Sequence, residues 1–317
     1  MRRLSLALLA ALLLAPPAGA QAPPPRPIRL IVPFAAGGGT DVVARVVAEA
    51  AGRLLRQPVV VENRTGAGAI IGTEAVAKAA PDGGTLLLAT LAHAVNPALY
   101  ERLPYDLLQD FRGVAFIGDV PLVLLVNPRL PVADLRGLID LLRREPGRHS
   151  YGSAGQGSAI HVAAELFLRM AQVEMVHVSY RGAALALQDV MAGNVQMLFD
   201  SVSTTPPHLA AGMVRALAVS GTRCSAILPE VPTAAEAGLP GYEAATWNAV
   251  LSPAATPAPV LATLHGLFAE AIRAAEPQLA SLGIQTDAAR TPAQVDAFLR
   301  AETERWGAIV RAAGKPR

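Results

Sequence analysis

Short apolar runs alternate along the chain with amphipathic segments. Runs rich in Val, Ile and Leu are typical of buried strands, and apolar residues that recur every three or four positions predict helices packed on a sheet. We predict strands at 28–32, 59–62, 85–90, 121–126, 149–153, 175–180, 195–200, 214–220 and 244–251. We predict helices at 41–55, 71–80, 134–144, 159–170, 183–192, 206–211, 258–275 and 293–312. This alternation predicts an α/β fold in which a mostly parallel sheet carries helices on its faces.

The order of these elements predicts two lobes. A turn near residue 127 begins a new unit, and the last two helices are expected to return to the first one. We therefore assign lobe 1 to residues 21–126 plus 243–317 and lobe 2 to residues 127–242. The chain would cross between the lobes twice. Two crossings form a hinge, and a cleft between lobes is a usual place for a small ligand.

The first twenty residues have the form of a cleaved secretory signal. Arg2 and Arg3 precede the apolar run 4–15, and the small residues Ala18-Gly19-Ala20 predict cleavage before Gln21. The apolar run is short for a bilayer span, so a retained anchor is the weaker interpretation. We therefore expect an exported, periplasmic protein.

The charge balance argues against a nucleic-acid partner. The chain has 27 Lys and Arg residues against 25 Asp and Glu, and loss of the two signal arginines leaves 25 of each. A neutral chain with few aromatic residues is a poor candidate for binding nucleic acid. Cys224 is the only cysteine, so an intramolecular disulfide is excluded and a packing or surface thiol is expected.

A glycine-rich loop joins the first predicted strand to the first predicted helix. It reads Phe34-Ala35-Ala36-Gly37-Gly38-Gly39-Thr40-Asp41. Glycines leave backbone N–H groups accessible, and the first helical turn adds free N–H groups and the positive end of the helix dipole. The loop is therefore a candidate anion site, in which Thr40 adds a hydroxyl group and Thr40 or Asp41 caps the helix.

A second loop of similar design follows the predicted strand at 149–153. It reads Tyr151-Gly152-Ser153-Ala154-Gly155-Gln156-Gly157-Ser158, in which Ser153 and Ser158 add hydroxyl donors and Ser158 is placed to cap a helix. Two helix N-termini facing each other would bind one carboxylate from two sides, or a ligand with carboxylates at both ends, without an arginine. The alternative is that both loops are tight turns that bind nothing.

Three further patterns have weaker functional interpretations. The glycines at 66–72 resemble a dinucleotide fingerprint, but the next strand ends without the acidic residue that would bind a ribose. Ser153 and Gly155 approach the Gly-x-Ser-x-Gly of a serine hydrolase, with Tyr151 in place of the first glycine. The six histidines form no metal-binding motif, so we expect neither a metal nor a cofactor.

Single polar and aromatic residues near the predicted cleft leave alternatives open. Asp200 ends an apolar strand, where it is placed either to accept a hydrogen bond from a ligand or to cap the next helix. Trp247, on the return crossing, is either a wall for an apolar ligand body or a core residue. Among the histidines, His93 and His161 are expected to lie closest to the cleft.

A series of short motifs follows in order along the mature chain. They are Pro33-Phe34-Ala35-Ala36-Gly37-Gly38-Gly39-Thr40-Asp41, Val61-Glu62-Asn63-Arg64-Thr65-Gly66-Ala67-Gly68, Pro81-Asp82-Gly83, Asn96-Pro97-Ala98-Leu99-Tyr100, Leu103-Pro104-Tyr105-Asp106, Tyr180-Arg181-Gly182, Phe199-Asp200, Pro232-Thr233 and Arg305-Trp306. In this order they resemble the substrate-binding proteins of tripartite tricarboxylate transporters, also called the Bug receptors.

The resemblance implies a two-lobed periplasmic binding protein fold, type II-like, that closes over a small organic carboxylate. Such a receptor delivers its ligand to integral-membrane permease subunits, is not an enzyme, and is expected to be a monomer. Loop N–H groups and bridging waters would hold the carboxylate, with Phe34 to Asp41 in the first lobe and Ser153 to Ser158 in the second. Thr90 and Asp200 would line the sides and help to set specificity. The alternative function is an exported serine hydrolase that uses Ser153.

Overall fold

The computed structural model describes residues 27–221 and 223–313, so the predicted signal and its cleavage site lie outside the described residues. The strands are β1 Ile28–Val32, β2 Val59–Asn63, β3 Thr85–Ala89, β4 Phe111–Val126, β5 Ser150–Ser153, β6 Val176–Ser179, β7 Met197–Ser201, β8 Arg215–Val219, β9 Ala245–Pro253 and β10 Gln285–Thr286. The helices are α1 Gly39–Leu55, α2 Ile70–Ala77, α3 Leu91–Leu99, α4 Leu135–Arg144, α5 Ala159–Ala171, α6 Ala183–Ala192, α7 Pro206–Ala210, α8 Ala258–Ala274, α9 Glu276–Ser281 and α10 Pro292–Ala313. No helix in the described ranges is long and apolar enough to cross a membrane.

The strands form one mixed sheet with a parallel block at each end. Its order is β2-β1-β3-β9-β4-β7-β5-β6, and β8 and β10 both pair with β4. The strands β1, β2 and β3 are parallel, as are β5, β6 and β7. At the centre, β9 and β4 run antiparallel to their neighbours. The predicted α/β fold with mostly parallel blocks is therefore confirmed.

The long strand β4 passes from one lobe to the other. Its first part pairs with β9 from Phe111 to Pro121, and its last part pairs with β7 from Leu122 onward. The return crossing lies beside it, because Ala245 at the start of β9 pairs with Pro121. Lobe 1 thus contains β1–β3, β9, β10 and the first part of β4, and lobe 2 contains β5–β8 and the last part of β4. The exact domain limits of the sequence analysis stay predictions.

Each lobe has its own apolar core. In β1, Leu30 and Val32 pack with α1 on one face, while Ile31 packs with β3 and α10 on the other. Burial on both faces is the reason that this parallel strand is apolar from Leu30 to Val32. In lobe 2 the end of β4 packs against α4, α5 and α6, with Phe167 and Phe199 among the largest buried side chains. The two cores meet at the start of α5, where Ala159 and Val162 pack with the lobe 1 cluster that contains Ile31.

Four elements differ clearly from the sequence prediction, which contained none of α3, α9 and β10 and placed the start of β4 too late. Strand β4 begins at Phe111, ten residues before the predicted start at 121. Its first part was not predicted, because glycines and charged residues interrupt the apolar pattern and the pairing with β9 is irregular near Gly113 and Gly118. Helix α3 was not predicted. It is buried from Leu91 to Asn96 and contains Pro97, so it has neither the polar face nor the uninterrupted sequence that identify a surface helix.

Candidate functional site: a cavity between two helix N-termini

A cavity that is partly open to solvent lies between the lobes. Seven of the thirteen predicted site residues line it, namely Phe34, Gly38, Gly39, Thr40, Thr90, Ser158 and Asp200. The other six lie around or behind this lining, namely Ala35, Gly37, Asp41, Ser153, Gly155 and Gly157. Both predicted loops therefore reach one cavity, and they do so through the first residues of α1 and α5.

The first loop contributes the N-terminus of α1. Gly38 is the residue before the helix, in an extended conformation, and its carbonyl oxygen accepts from Val42 N at 3.0 Å. As the N-cap and the first two helical residues, Gly38, Gly39 and Thr40 have no intrahelical acceptor for their N–H groups. A side chain at position 39 would collide with Ser201 across the cavity. The glycines thus allow lobe 2 to approach the backbone closely.

Asp41 shapes this loop from behind. The carboxylate is almost fully buried and accepts from Gly37 N, Arg45 Nε and Asn63 Nδ2, each at 2.9 Å. Burial opposes ionisation of Asp41, but these hydrogen bonds outweigh it and hold the pKa of the carboxyl group below its usual value. Neither Thr40 nor Asp41 caps α1 through its side chain, in contrast to the prediction. Asp41 instead fixes the turn at Gly37.

Contacts between the lobes surround the cavity. Ala35 N donates to the carbonyl oxygen of Arg181 at 3.2 Å, so that amide is occupied. Tyr100 Oη donates to the carbonyl oxygen of Gln156 at 3.4 Å. Gly155 lies against the backbone of Gly68, where a Cβ would be 3.6 Å from the Gly68 Cα atom. A Cβ at Gly157 would lie only 2.6 Å from Asn96 Oδ1 of lobe 1, so this glycine allows the lobes to approach closely.

The second loop contributes the N-terminus of α5. Ser158 is the N-cap and its Oγ accepts from His161 N at 3.3 Å, as predicted. Ser158, Ala159 and Ile160 all line the cavity. Gly157 N is occupied, because it donates to Nδ1 of His161 at 3.2 Å. Burial lowers the pKa of His161 to about 3, with a smaller contribution from His177, so His161 is a neutral support behind the loop.

Ser153 is placed behind this loop and is fully buried. Its Oγ lies 2.7 Å from Nε2 of His177 and accepts from Gly155 N at 3.1 Å. The His177 ring stacks on Tyr151 with centroids 4.9 Å apart, and burial lowers its pKa. A serine and a histidine in contact are two parts of a hydrolase triad. Here the hydroxyl oxygen is used within the loop and does not line the cavity, so the arrangement does not favour the hydrolase alternative.

Thr90 and His93 form the start of α3. Thr90 N donates to His93 Nδ1 at 2.9 Å, and Thr90 Oγ1 accepts from Ala92 N at 3.3 Å. Burial lowers the pKa of His93 to about 4. Thr90 faces the cavity, whereas the neutral His93 ring lies behind it.

Asp200 is the acidic side chain in the cavity lining, and it is 1% exposed. Its Oδ1 accepts from Ser201 N at 2.8 Å and its Oδ2 from Thr204 Oγ1 at 3.0 Å. Burial raises the pKa of Asp200 to about 6, although both hydrogen bonds oppose the shift. Asp200 thus organises the turn after β7 and faces the ligand space at the same time.

The floor of the cavity consists of the two crossing strands, which the sequence analysis did not assign to the site. Val120 and Leu122 of β4 and Thr246 and Asn248 of β9 face the cavity. Trp247, between the last two, lies on the opposite face, where its Nε1 donates to Glu302 Oε2 at 3.0 Å. Strict alternation along β9 is the signal that identifies the polar pair. Trp247 is accordingly a core residue and not a wall of the cavity between the lobes.

The electrostatics of the cavity favour an anion held by backbone dipoles. No lysine or arginine belongs to its lining within residues 27–221 and 223–313. Arg64 lies outside the cavity lining and forms an ion pair with Glu62, in which Arg64 Nε is 2.6 Å from Glu62 Oε1. Two helix N-termini supply free N–H groups and positive dipole ends. The described residues contain no group of three or more His, Cys, Asp and Glu side chains placed to hold a metal ion.

The fold and the cavity define a two-lobed solute-binding protein, and comparison with known proteins agrees. Residues 43–315 match the model of the tripartite tricarboxylate transporter family receptor. BugT of Bordetella pertussis is 38% identical over 305 residues, covering 95% of this chain and 93% of BugT. The chain therefore belongs to the tripartite tricarboxylate transporter receptor family. Its relatives in that family are binding proteins rather than enzymes.

Two solved structures with bound acids have the same fold. The Rpa4515 protein of R. palustris with adipate is 35% identical, has a TM-score of 0.88, and is matched over 92% of this chain and 98% of its own. MatC of Rhodopseudomonas palustris with bound malate is 32% identical and has a TM-score of 0.85. The match covers 90% of this chain and 99% of the MatC chain. Both similarities extend over both lobes.

Proposed function

We propose that this protein is a periplasmic receptor that captures a small organic carboxylate between its lobes and delivers it to the permease subunits of a tripartite tricarboxylate-type transporter. The observation that carries the proposal is the pair of helix N-termini, Gly38–Thr40 and Ser158–Ile160, that line one cavity without a basic side chain. Backbone N–H groups and helix dipoles attract a carboxylate without a competing ion pair. The adipate and malate bound to two relatives are of this chemical class.

In this proposal the predicted site residues have two roles. Residues that line the cavity contact the ligand: Phe34, Gly38, Gly39, Thr40, Thr90, Ser158 and Asp200. The remaining predicted residues, Ala35, Gly37, Asp41, Ser153, Gly155 and Gly157, hold the two loops in shape or allow the lobes to meet. Loss of a residue in the second group would weaken binding through the loop geometry.

Closure of the lobes is the proposed signal to the permease. The contacts of Ala35 with Arg181 and of Tyr100 with Gln156 exist only when the lobes approach. A ligand that binds both helix N-termini stabilises this closed form over the open one and shifts the population toward it. The permease would then recognise the closed surface.

A thermal-shift screen of organic acids tests the carboxylate proposal. A ligand present at 100 times its dissociation constant adds about 2.7 kcal/mol to the free energy of unfolding. We expect at least one of succinate, malate and adipate to raise the melting temperature and its uncharged diamide to leave it unchanged. Equal shifts with an acid and its diamide, or no shift with any acid, would contradict the proposal.

The absence of catalysis and the export of the chain need separate tests. A serine-directed fluorophosphonate is expected to leave the protein unlabelled. Stoichiometric labelling that disappears in Ser153→Ala would support the hydrolase instead. N-terminal sequencing of the exported protein is expected to begin at Gln21, and recovery of the intact N-terminus from a membrane fraction would indicate a retained anchor.

A further inference from the structure

Two polar side chains on the cavity floor have no hydrogen-bond partner among the described residues. Thr246 Oγ1 and Asn248 Nδ2 are buried and unpaired in the described structure, and their residues are 8% and 1% exposed. Both residues line the cavity between the lobes. A buried donor without a partner is unfavourable, and native proteins rarely contain one that has no purpose. These two groups are therefore placed to receive a hydrogen-bonding partner from a ligand.

The floor also differs chemically from the two helix N-termini. Thr246 and Asn248 are neutral, and they alternate along β9 with Trp247, which faces away. Beside them the lining is apolar, with Val120 and Leu122 of β4. Charge on the ligand is best accommodated at the helix N-termini, whereas the floor offers single hydrogen bonds in an apolar surrounding. The cavity thus has one end for an anion and another for a second polar group.

We propose that Thr246 and Asn248 are specificity-determining residues, which hydrogen-bond the second oxygen-bearing group of the ligand from the cavity floor. The inference rests on the proposed carboxylate function and adds two residues to it. Asn248 Nδ2 donates to the second group, and Thr246 Oγ1 donates or accepts. The first carboxylate stays at the loops of α1 and α5.

The position of these residues connects ligand recognition to the hinge. Thr246 pairs with Val120, one residue from the place where Ala245 meets Pro121 and the sheet pairing changes between lobes. A ligand that contacts both the helix N-termini and this floor spans the lobes and the crossing strands together. A simple monocarboxylate would lack the contact with the crossing strands.

Binding calorimetry with matched acids tests this inference. The pairs are succinate with butyrate, adipate with hexanoate, and 3-hydroxybutyrate with butyrate, which differ only in the second group. We expect the wild type to prefer the bifunctional member of at least one pair by about tenfold, and Asn248→Leu and Thr246→Val each to remove most of that preference. Affinity for the monocarboxylate should not fall, because its carboxylate stays at the loops of α1 and α5 and its apolar end meets an apolar side chain in either variant.

Ser252→Ala is the matched control. Ser252 Oγ is also buried and unpaired on β9, but Ser252 does not line the cavity. This variant should retain the wild-type preference. Unliganded Asn248→Leu should melt at or above the wild-type temperature, because it removes an unpaired buried group.

The outcomes separate the inference from the function on which it rests. Binding of acids without preference in any pair, or a preference that survives both substitutions, would overturn the inference and leave the carboxylate receptor intact. Failure of every acid to bind the wild type would overturn both.

Discussion

Ala35 N and the carbonyl oxygen of Arg181 form a 3.2 Å hydrogen bond that joins the two lobes beside the cavity. The next residue, Gly182, has an extended backbone, and a Cβ atom there would lie 2.6 Å from the Cβ of Ala35. The absence of a side chain at position 182 is therefore a requirement of the closed form and not of the fold of lobe 2.

Gly182→Val should prevent full closure. We expect carboxylate affinity to fall by about tenfold or more, because one interlobe hydrogen bond and the contacts around it are lost. The unliganded melting temperature should change little, since the extended backbone accepts any residue. Calorimetry measures the affinity, and small-angle scattering with saturating acid measures whether the lobes close.

Gly266→Ala is a suitable control for this variant. Gly266 lies in α8, and no atom lies within 4 Å of a Cβ placed there. It should bind and close like the wild type. Wild-type affinity in Gly182→Val would show that closure does not need the contact between Ala35 and Arg181.

Asp41 should stabilise both the fold and the site. Asp41→Ala removes three hydrogen bonds to a buried carboxylate, and we expect the free energy of unfolding at pH 7 to fall by about 2–3 kcal/mol. Because the folded pKa of Asp41 is lowered, its stabilisation is present above the unfolded pKa and is lost as the pH falls through the folded value. Denaturant unfolding at pH 7 and near pH 3 measures the difference.

Glu49→Ala, on the same helix, is the control for Asp41. Glu49 forms an exposed pair with Arg53 at 3.5 Å, so its loss should change the free energy of unfolding by less than about 1 kcal/mol. An Asp41→Ala protein as stable as Glu49→Ala would contradict the support that we assign to Asp41.

Asp200 should make ligand binding depend on pH. Its folded pKa is raised to about 6, so ionisation of the buried carboxyl group reduces stability as the pH rises from about 4 to 6. An anionic ligand in the same cavity opposes ionisation further, and we expect tighter carboxylate binding at pH 5.5 than at pH 7.5, with proton uptake. If the bound ligand raises the pKa of Asp200 by one further unit, the ligand binds the ionised protein about tenfold more weakly than the protonated protein.

Calorimetry in two buffers of different ionisation enthalpy measures this proton uptake, and Asp200→Asn should abolish it. Proton release on binding, or the same pH dependence in Asp200→Asn, would show that Asp200 does not face the anion.

Much of the fold could be predicted because local patterns and packing agree. The runs that became β1 and α6 have the predicted limits, since apolar periodicity and flanking turn residues define them. The hidden part of β4 could not be predicted, because its bulges and its pairing with β9 depend on residues more than a hundred positions away. Such long-range pairing leaves little local signal.

The site was predictable to the extent that it is built from local motifs. Glycine-rich turns before helices identified the N-termini of α1 and α5, and the end of β7 identified Asp200. The roles of Gly37 and Gly155 could not be predicted, because they depend on Asp41 and on contact between lobes. Thr246 and Asn248 were not predicted, because the aromatic Trp247 between them was the residue of β9 considered as a ligand contact, and it lies on the opposite face of the strand.

Calorimetric titration of Gly38→Val, Arg64→Ala and Arg181→Ala tests most directly whether backbone amides hold the carboxylate. Gly38 is extended, and a Cβ there has only ordinary contacts of 3.7 Å or more, so valine places its methyl groups in the cavity without straining the loop. With the tightest of succinate, malate and adipate, we predict a loss of about 2 kcal/mol or more for Gly38→Val and less than about 0.5 kcal/mol for either arginine variant. Wild-type affinity in Gly38→Val, together with lost binding in Arg64→Ala or Arg181→Ala, would contradict the claim that backbone amides hold the carboxylate.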